Sequence, residues 1–397
     1  VLYLLPKGLK MPGVIFFFHC GMNTGYAIKT LEDVFLGVGY EITKDVKKIH
    51  FAFTKLSAVD TKNVSYKKVN IIKFNPATDN EQELLDLRAY ISRNQIRIAI
   101  GFDQPVYRPV YRYLRQAGVK LIVSYYGAPM SSLNSGFKLF LKRLEVMLVR
   151  NQPDLYIFES VAMANTAIYG RGIKKKNTEV IYLGVDEKVY CPNEQNLDYA
   201  YNIFNIPRNR KIFFYSGHME ERKGVRIIIQ AAKEIILKYN QSNIHFLLIG
   251  NKNGEEMEYY QLYKNTLVEN CITFGGYRND VNLIMQSCFA GIIASTGWDS
   301  FTMSSLEIAA SGVPLIVSNL QGLAETIENN KTGLLFESGN ANDLVEKIFT
   351  LYNNDEFRNI LAKNARDRIV AKFTKNMQVR NLYEAILNRF KVKSGNK

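Results

Sequence analysis

The chain has little cysteine: Cys20, Cys191, Cys271 and Cys288 are scattered over 397 residues and form no C-x-x-C pair. That excludes a disulfide-stapled scaffold and a thiolate metal centre, and it reads as the reduced core thiols of a cytosolic protein. Long apolar runs are missing too. Nothing approaches the roughly 18–20 residues of a membrane span, and Val14-Ile15-Phe16-Phe17-Phe18 reads as a buried strand. No stretch has the basic start, apolar middle and small-residue cleavage site of a signal peptide. Val1 stands where Met is usual, which leaves what precedes it open. There is no G-x-G-x-x-G fingerprint and no Walker loop, so a dinucleotide or NTPase reading gains no support. No Asp-x-Asp stands ready to hold a divalent ion against a diphosphate, and no metal or other cofactor is expected.

What is there belongs to a globular protein: 47% hydrophobic residues with 22% charged, and length enough for two domains of ordinary size. The formal charge of +14 gathers at Arg108, Arg112, Arg115 and Lys120, at Lys138, Lys142, Arg143 and Arg150, and at Lys174-Lys175-Lys176. Such a surface suits a phosphate-bearing partner: nucleic acid, anionic lipid or a phosphorylated acceptor. No nucleic-acid-binding motif accompanies it, so no nucleic-acid partner is expected; a merely solvated basic face is the alternative.

Short apolar strands alternate with amphipathic helices, the pattern of parallel α/β sheets built from βαβ units. The first series of strands is Val14–Phe18, Lys48–Phe53, Val69–Phe74, Ile96–Ile100, Lys120–Ser124, Leu155–Phe158 and Glu179–Leu183. Helices are expected at Ala27–Gly37, Glu81–Arg93, Val106–Gln116 and Leu139–Arg150. The second series is Lys211–Ser216, His245–Gly250, Ile272–Phe274, Ala290–Ala294 and Pro314–Ser318, with helices at Val225–Tyr239, Glu255–Glu269, Val281–Ser287, Thr302–Ser311 and Leu344–Asn353. Tyr190–Asn196 is polar and strand-poor and reads as a linker. The expectation is two Rossmann-like domains, residues 1–192 and 193–375, facing each other across a cleft, with a last helix near 376–397 packed back on the first.

Ligands of open parallel sheets bind beyond the carboxyl ends of the strands. The fullest such stretch is Asp299-Ser300-Phe301-Thr302-Met303-Ser304-Ser305-Leu306-Glu307, running on to Gly312. A helix N-terminus there offers free N–H groups and a positive dipole end to a phosphate. Ser300 or Thr302 would cap it, Glu307 would lie a turn inside and accept the two hydroxyls of a ribose, and Asp299 would sit at the mouth. This segment resembles the acidic-x7-acidic motif of the family-4 glycosyltransferases, retaining enzymes of the GT-B fold, with Asp299 where the family usually has Glu.

Further elements extend the resemblance. His19-Cys20-Gly21-Met22-Asn23-Thr24-Gly25 is similar to the family's N-terminal Gly-rich loop, and Tyr125-Tyr126-Gly127 to its His-Gly turn, with Tyr126 where His is usual. Val180–Asp186 is similar to its strand and Gly-Val-Asp turn. Gly217-His218-Met219-Glu220-Glu221-Arg222-Lys223-Gly224 is similar to the element that grips the donor diphosphate, with His218 in place of an Arg. Gly250 ends a strand as the family's glycine does, Gly275-Gly276-Tyr277-Arg278 is similar to the turn that lines the base, and Gln321–Glu325 and Lys331–Phe336 match the closing elements.

The resemblance implies a hexosyltransferase that uses a nucleotide-diphosphate sugar, retains configuration and needs no metal. Its acceptor would be a polysaccharide or lipid-linked glycan precursor. Asp299 would hold the donor sugar, and Arg222 with Lys223 would act on the diphosphate. Ser300, Phe301, Thr302, Met303, Ser304, Gly217, His218, Gly250 and Tyr277 would line the donor. His19, Gly21, Gly25, Asp103 and Tyr126 would face the acceptor. A pseudo-transferase that binds without turnover is the rival reading, and a nucleic-acid-binding α/β protein a third. One segment stays open: Gly136–Arg150 carries apolar residues at helical spacing and four cations. Either it lies on an anionic membrane surface, at the inner face of the plasma membrane, or Leu141, Leu144 and Leu148 pack on the sheet and the cations mark a solvated face.

Overall fold

In a computed structural model of the chain, residues 12–22, 24–57 and 69–395 are described. Asn23 of the Gly-rich loop lies outside them. Two compact units form: the chain up to Tyr182 together with Asn376–Lys397, and Leu183–Lys375.

The first unit contains β1 (Gly13–Phe17), α1 (Tyr26–Thr43), β2 (Ile49–Phe53), β3 (Asn70–Lys73), α2 (Glu81–Arg93), β4 (Ile96–Phe102), α3 (Val110–Gln116), β5 (Leu121–Tyr126), α4 (Gly136–Leu148), β6 (Leu155–Phe158), α5 (Val161–Asn165) and β7 (Thr178–Val180). Its strands run parallel in the order β3-β2-β1-β4-β5-β6-β7. Every residue of β1, β2, β5 and β6 is buried, because helices cover both faces of a parallel sheet and leave no polar side. The order reverses between β1 and β4, so the loops after those strands flank one point at the carboxyl end of the sheet.

The second unit contains α6 (Tyr199–Phe204), β8 (Lys211–Ser216), α7 (Val225–Lys233), β9 (Ile244–Ile249), α8 (Glu256–Tyr260), β10 (Ile272–Phe274), α9 (Val281–Ile284), β11 (Ala290–Ile293), α10 (Met303–Ala310), β12 (Leu315–Ser318), α11 (Gln321–Ala324), β13 (Gly333–Phe336), α12 (Ala341–Tyr352) and α13 (Asp355–Lys372). Its order, β10-β9-β8-β11-β12-β13, reverses between β8 and β11. A last helix, α14 (Lys375–Lys393), sends Leu382, Ile386 and Phe390, four residues apart on one face, into the core of the first unit.

Several expected boundaries shift. β4 and β5 run two residues further than expected, through Phe102 and Tyr126, and β7 ends at Val180 rather than Leu183. The expected helix Glu255–Glu269 survives only as α8: turns follow Tyr260, Asn265 is left-handed (φ 59°), and Thr266 caps a new 3-10 turn, its Oγ1 accepting from Val268 N. Gly333–Phe336, expected only as a motif, is the edge strand β13.

Arg366 of α13 ties the segment entering the second unit to the C-terminal end of α10. Its Nη1 donates to the carbonyls of Tyr190 (2.8 Å) and Ala310 (2.7 Å), and its Nη2 to that of Glu187 (2.9 Å). Arg366→Ala is expected to lower the unfolding free energy by roughly 3 kcal/mol, the scale of losing charge-assisted bonds to partly buried carbonyls. Urea titration checks this; a loss below about 1 kcal/mol would mean that water replaces the guanidinium.

Candidate functional site

In the second unit, β8 delivers the chain at Ser216 into Gly217, His218 and a 3-10 turn, Glu221–Lys223. Gly224 follows with φ 72°, and a Cβ there would fall 1.8 Å from the Ala294 carbonyl oxygen. Only glycine lets the two backbones close this far. The turn is fastened from the other side by Thr296 N and Gly297 N, which donate to Arg222 O at 2.8 and 3.2 Å.

This closure brings Lys223 to Asp299. Lys223 Nζ donates to Asp299 Oδ2 at 2.9 Å, Ser295 Oγ donates to the same oxygen at 2.6 Å, and Ser300 N donates to Oδ1 at 3.1 Å. Asp299 is only 5% exposed. The acid expected at the mouth is therefore the buried support of a cation, and Lys223, 18% exposed in its side chain, is held where Asp299 aims it. Arg222 lies beside the pair. Its guanidinium stacks over Trp298 at 4.3 Å, its Nη1 donates to Trp298 O, and its Nε donates to Glu220. His218 is exposed, with Nδ1 3.4 Å from Glu220.

α10 begins just beyond. Thr302 stands at its boundary, but neither candidate side chain caps it. Thr302 Oγ1 pairs with Ser305 Oγ at 2.6 Å, and Ser300 Oγ is buried without a hydrogen-bond partner among the described residues. The N–H groups of the first turn are thus left without a side-chain cap, while Thr302, Met303 and Ser304 remain half-exposed. Glu307 is buried, 4% exposed, one turn in. Phe301, expected to line the donor, is instead an anchor: it is buried, with its ring 5.1 Å from that of Phe373.

Gly217 and Gly250 touch through their backbones. Gly250 has φ 113°, and a Cβ on it would lie 2.0 Å from Gly217 O. Tyr277 is exposed, with Lys252, a cation the sequence reading passed over, 4.1 Å above its ring.

In the first unit the loops after β1, β4, β5 and β6 hold a second group. Asp103 turns left-handed (φ 51°), and its Oδ1 accepts from Gly127 N at 3.0 Å. Burial pushes its carboxyl up to about 6, against the pull of the Gly127 N–H and of His19. His19 stacks on Phe102 at 4.9 Å, its Nδ1 3.3 Å from that residue's carbonyl. Gly21 lies beside Lys55, and Gly25 stands at the start of α1 with φ 136°. Glu159, which sequence reading missed, follows β6 and is buried; a Cβ on Gly127 would meet its Oε1 at 3.4 Å. Its place immediately after a buried strand was the available signal.

Tyr126 corrects the sequence reading. Its ring is buried and stacked on Phe158, and its hydroxyl donates to Gln104 O at 2.7 Å. Burial, reinforced by Asp103, pushes the phenol well above its usual range. It is part of the core and offers nothing to an acceptor.

The raised Asp103 carboxyl has a consequence for stability. An Asp whose folded-state value lies above the ordinary one binds its proton more tightly when folded. Its support is full below about pH 4 and is lost as pH rises through about 6. Asp103→Asn removes that dependence, so the variant should gain on the wild type in urea midpoint between about pH 4 and about pH 7. A difference that stays flat across this window would refute the shift.

Residues 201–368, most of the second unit, match the family model described as Glycosyl transferases group 1. The chain is 27% identical over 196 residues to the UDP-Gal:alpha-D-GlcNAc-diphosphoundecaprenol alpha-1,3-galactosyltransferase of Escherichia coli, covering 49% of this chain and 50% of that one. It is 26% identical over 346 residues to the uncharacterized glycosyltransferase MJ1178 of Methanocaldococcus jannaschii, covering 81% of this chain and 92% of that one. Apart from the latter, the chain spans about half the length of the first curated relatives it matches. Among solved structures, Anabaena Alr3699/HepE in complex with UDP superposes with a TM-score of 0.77 at 18% identity, covering 95% of this chain and all of that one. The expected GT-B fold is the fold this likeness shows.

Proposed function

We propose that this chain, whose residues 201–368 belong to the glycosyl transferases group 1, moves a hexose from a nucleotide-diphosphate sugar to a polysaccharide or lipid-linked glycan precursor. The observation that carries the reading is the Lys223–Asp299 pair set beside the uncapped start of α10. Lys223, Arg222 and that helix terminus supply positive charge where the diphosphate leaving group develops its own, which is the electrostatic work such a transfer needs without a metal ion. Asp299 positions Lys223, and Glu307 takes the ribose. In the first unit the Asp103 carboxylate, with His19 beside it and Glu159 against the same Gly127 turn, accepts a hydrogen bond from an acceptor hydroxyl once it is ionised above about pH 6. The family resemblance supports retention at the transferred carbon.

The Anabaena neighbour is a complex with UDP and the E. coli relative is named for UDP-Gal, so UDP-sugars are the first donors to try. A thermal-shift screen of UDP-, GDP- and ADP-sugars should raise the melting temperature with one class and not the others, in EDTA as well as without it. No shift with any would sink the reading. The buried Tyr126, spent on Gln104 where a ligand contact was expected, favours a second reading: a chain that binds donor without turnover. Release of nucleotide diphosphate from a bound donor, in the absence of acceptor, separates the two.

A further inference from the structure

α4 presents its apolar stripe outward. Of its residues only Val146 is buried. Phe137 (72% exposed), Phe140, Leu141 and Leu148 (78%) recur three, four and seven apart, so they share one face, and that face is in solvent. Leu133 just before the helix and Met147 within it are exposed as well. Leu141 and Leu148 are exposed and only Leu144 is half-buried, so the alternative in which all three pack on the sheet does not hold. The helix is held by its other side through close backbone contact: a Cβ on Gly172 (φ 89°) would lie 2.8 Å from Arg143 N.

Cations flank the stripe. Lys138 and Arg143 are exposed, Lys142 is half-exposed, and Arg150 follows the helix. The helix's one acid, Glu145, is already engaged by Lys142 at 3.0 Å and by Arg171 at 2.8 Å. The basic run Lys174–Lys176 leaves from beside the same helix and is exposed. Apolar residues at the centre of a helix face with cations along its margins match a bilayer surface, whose acyl boundary takes the rings while its phosphates meet the charges. A second copy is a poor occupant, since a chain of net charge +14 would press like charges together. We infer that α4 docks the chain on anionic phospholipid, inserting Phe137, Phe140, Leu141 and Leu148 between headgroups. This holds whether or not the transferase reading does.

The test uses the full chain and vesicles of phosphatidylglycerol mixed with phosphatidylcholine, against phosphatidylcholine alone. Sedimentation should occur with the anionic vesicles and fall as salt is raised. The double variant Phe137→Ser, Phe140→Ser should bind about ten- to a hundredfold more weakly through loss of apolar insertion. The triple variant Lys138→Ser, Lys142→Ser, Arg143→Ser should lose about a hundredfold and with it the preference for anionic lipid. The rings, Lys138 and Arg143 being exposed and Lys142 half-exposed, unchanged melting temperatures should show that both variants fold. Equal recovery with both vesicle types, no recovery with either, or binding indifferent to both variants overturns the assignment. A dimer in light scattering that the Phe variants dissolve overturns it in favour of self-association.

Discussion

Lys223→Ala is expected to lower kcat by about 10²–10³, the scale of losing one donor aimed at developing charge. Under the proposed reading the ammonium meets the departing diphosphate, so its effect grows as the bond to the sugar breaks and falls mainly on kcat. Affinity for a nucleoside without phosphates should barely move. The same substitution strips a buried carboxylate of its cation. Breaking one side of a buried pair costs roughly 3–5 kcal/mol, and here the low end is expected, because Ser295 Oγ and Ser300 N still donate to Asp299. The two effects separate experimentally: kcat is read well below the melting temperature, and the stability loss by urea titration. Asp299→Asn gives the complement. It keeps the shape and frees Lys223, so a fall in kcat with little loss of donor affinity would mark Asp299 as the residue that aims the cation. Normal turnover by both Arg222→Ala and Lys223→Ala would move the diphosphate contact elsewhere, with the exposed His218 next in line.

Much of the second unit was legible because its signals are local. A Lys-Gly step after an apolar strand, a Ser/Thr-rich helix start and a Gly at the helix end each specify a turn within a few residues. The pairing of Lys223 with Asp299 was not legible, because it joins residues 76 apart through the parallel register of β8 and β11. Tyr126 was misread for a smaller reason. The sequence ended β5 at Ser124 and placed the two tyrosines in a turn. The strand continues, so alternation sends Tyr125 into the core on the α1 face and Tyr126 into the core on the other. Glu159 directly follows β6, but what it faces, the turn at Gly127, lies at the end of another strand and leaves no mark in the local sequence. For α4 the period of 3.6 fixed which residues share a face, yet periodicity is silent on whether that face looks inward or out. The packing decides it: the Lys142–Arg143 backbone closes on Gly172, and Phe137, Leu141 and Leu148 are left in solvent.

Glu307→Ala should weaken binding of the donor and of free nucleotide diphosphate together, by about ten- to a hundredfold, the equivalent of roughly 1.5–3 kcal/mol for a charge-assisted hydrogen bond. The effect should be common to both ligands because the ribose is common to both; a contact to the sugar would spare the free nucleotide. The helix that carries Glu307 should survive the change. Leu306, Ile308 and Ala309 are buried around it, and Ile308 packs so close to Gly291 of β11 that a Cβ there would stand 2.7 Å from its Cγ2. Glu307→Gln keeps the volume and one acceptor oxygen while removing the charge, so it should fall between wild type and Ala. Calorimetry with UDP on folded variants reads the order directly. If both variants bind UDP as tightly as the wild type, Glu307 is a buried structural carboxylate of α10, and the diol contact must come from another of the loops that end β8, β9 and β10.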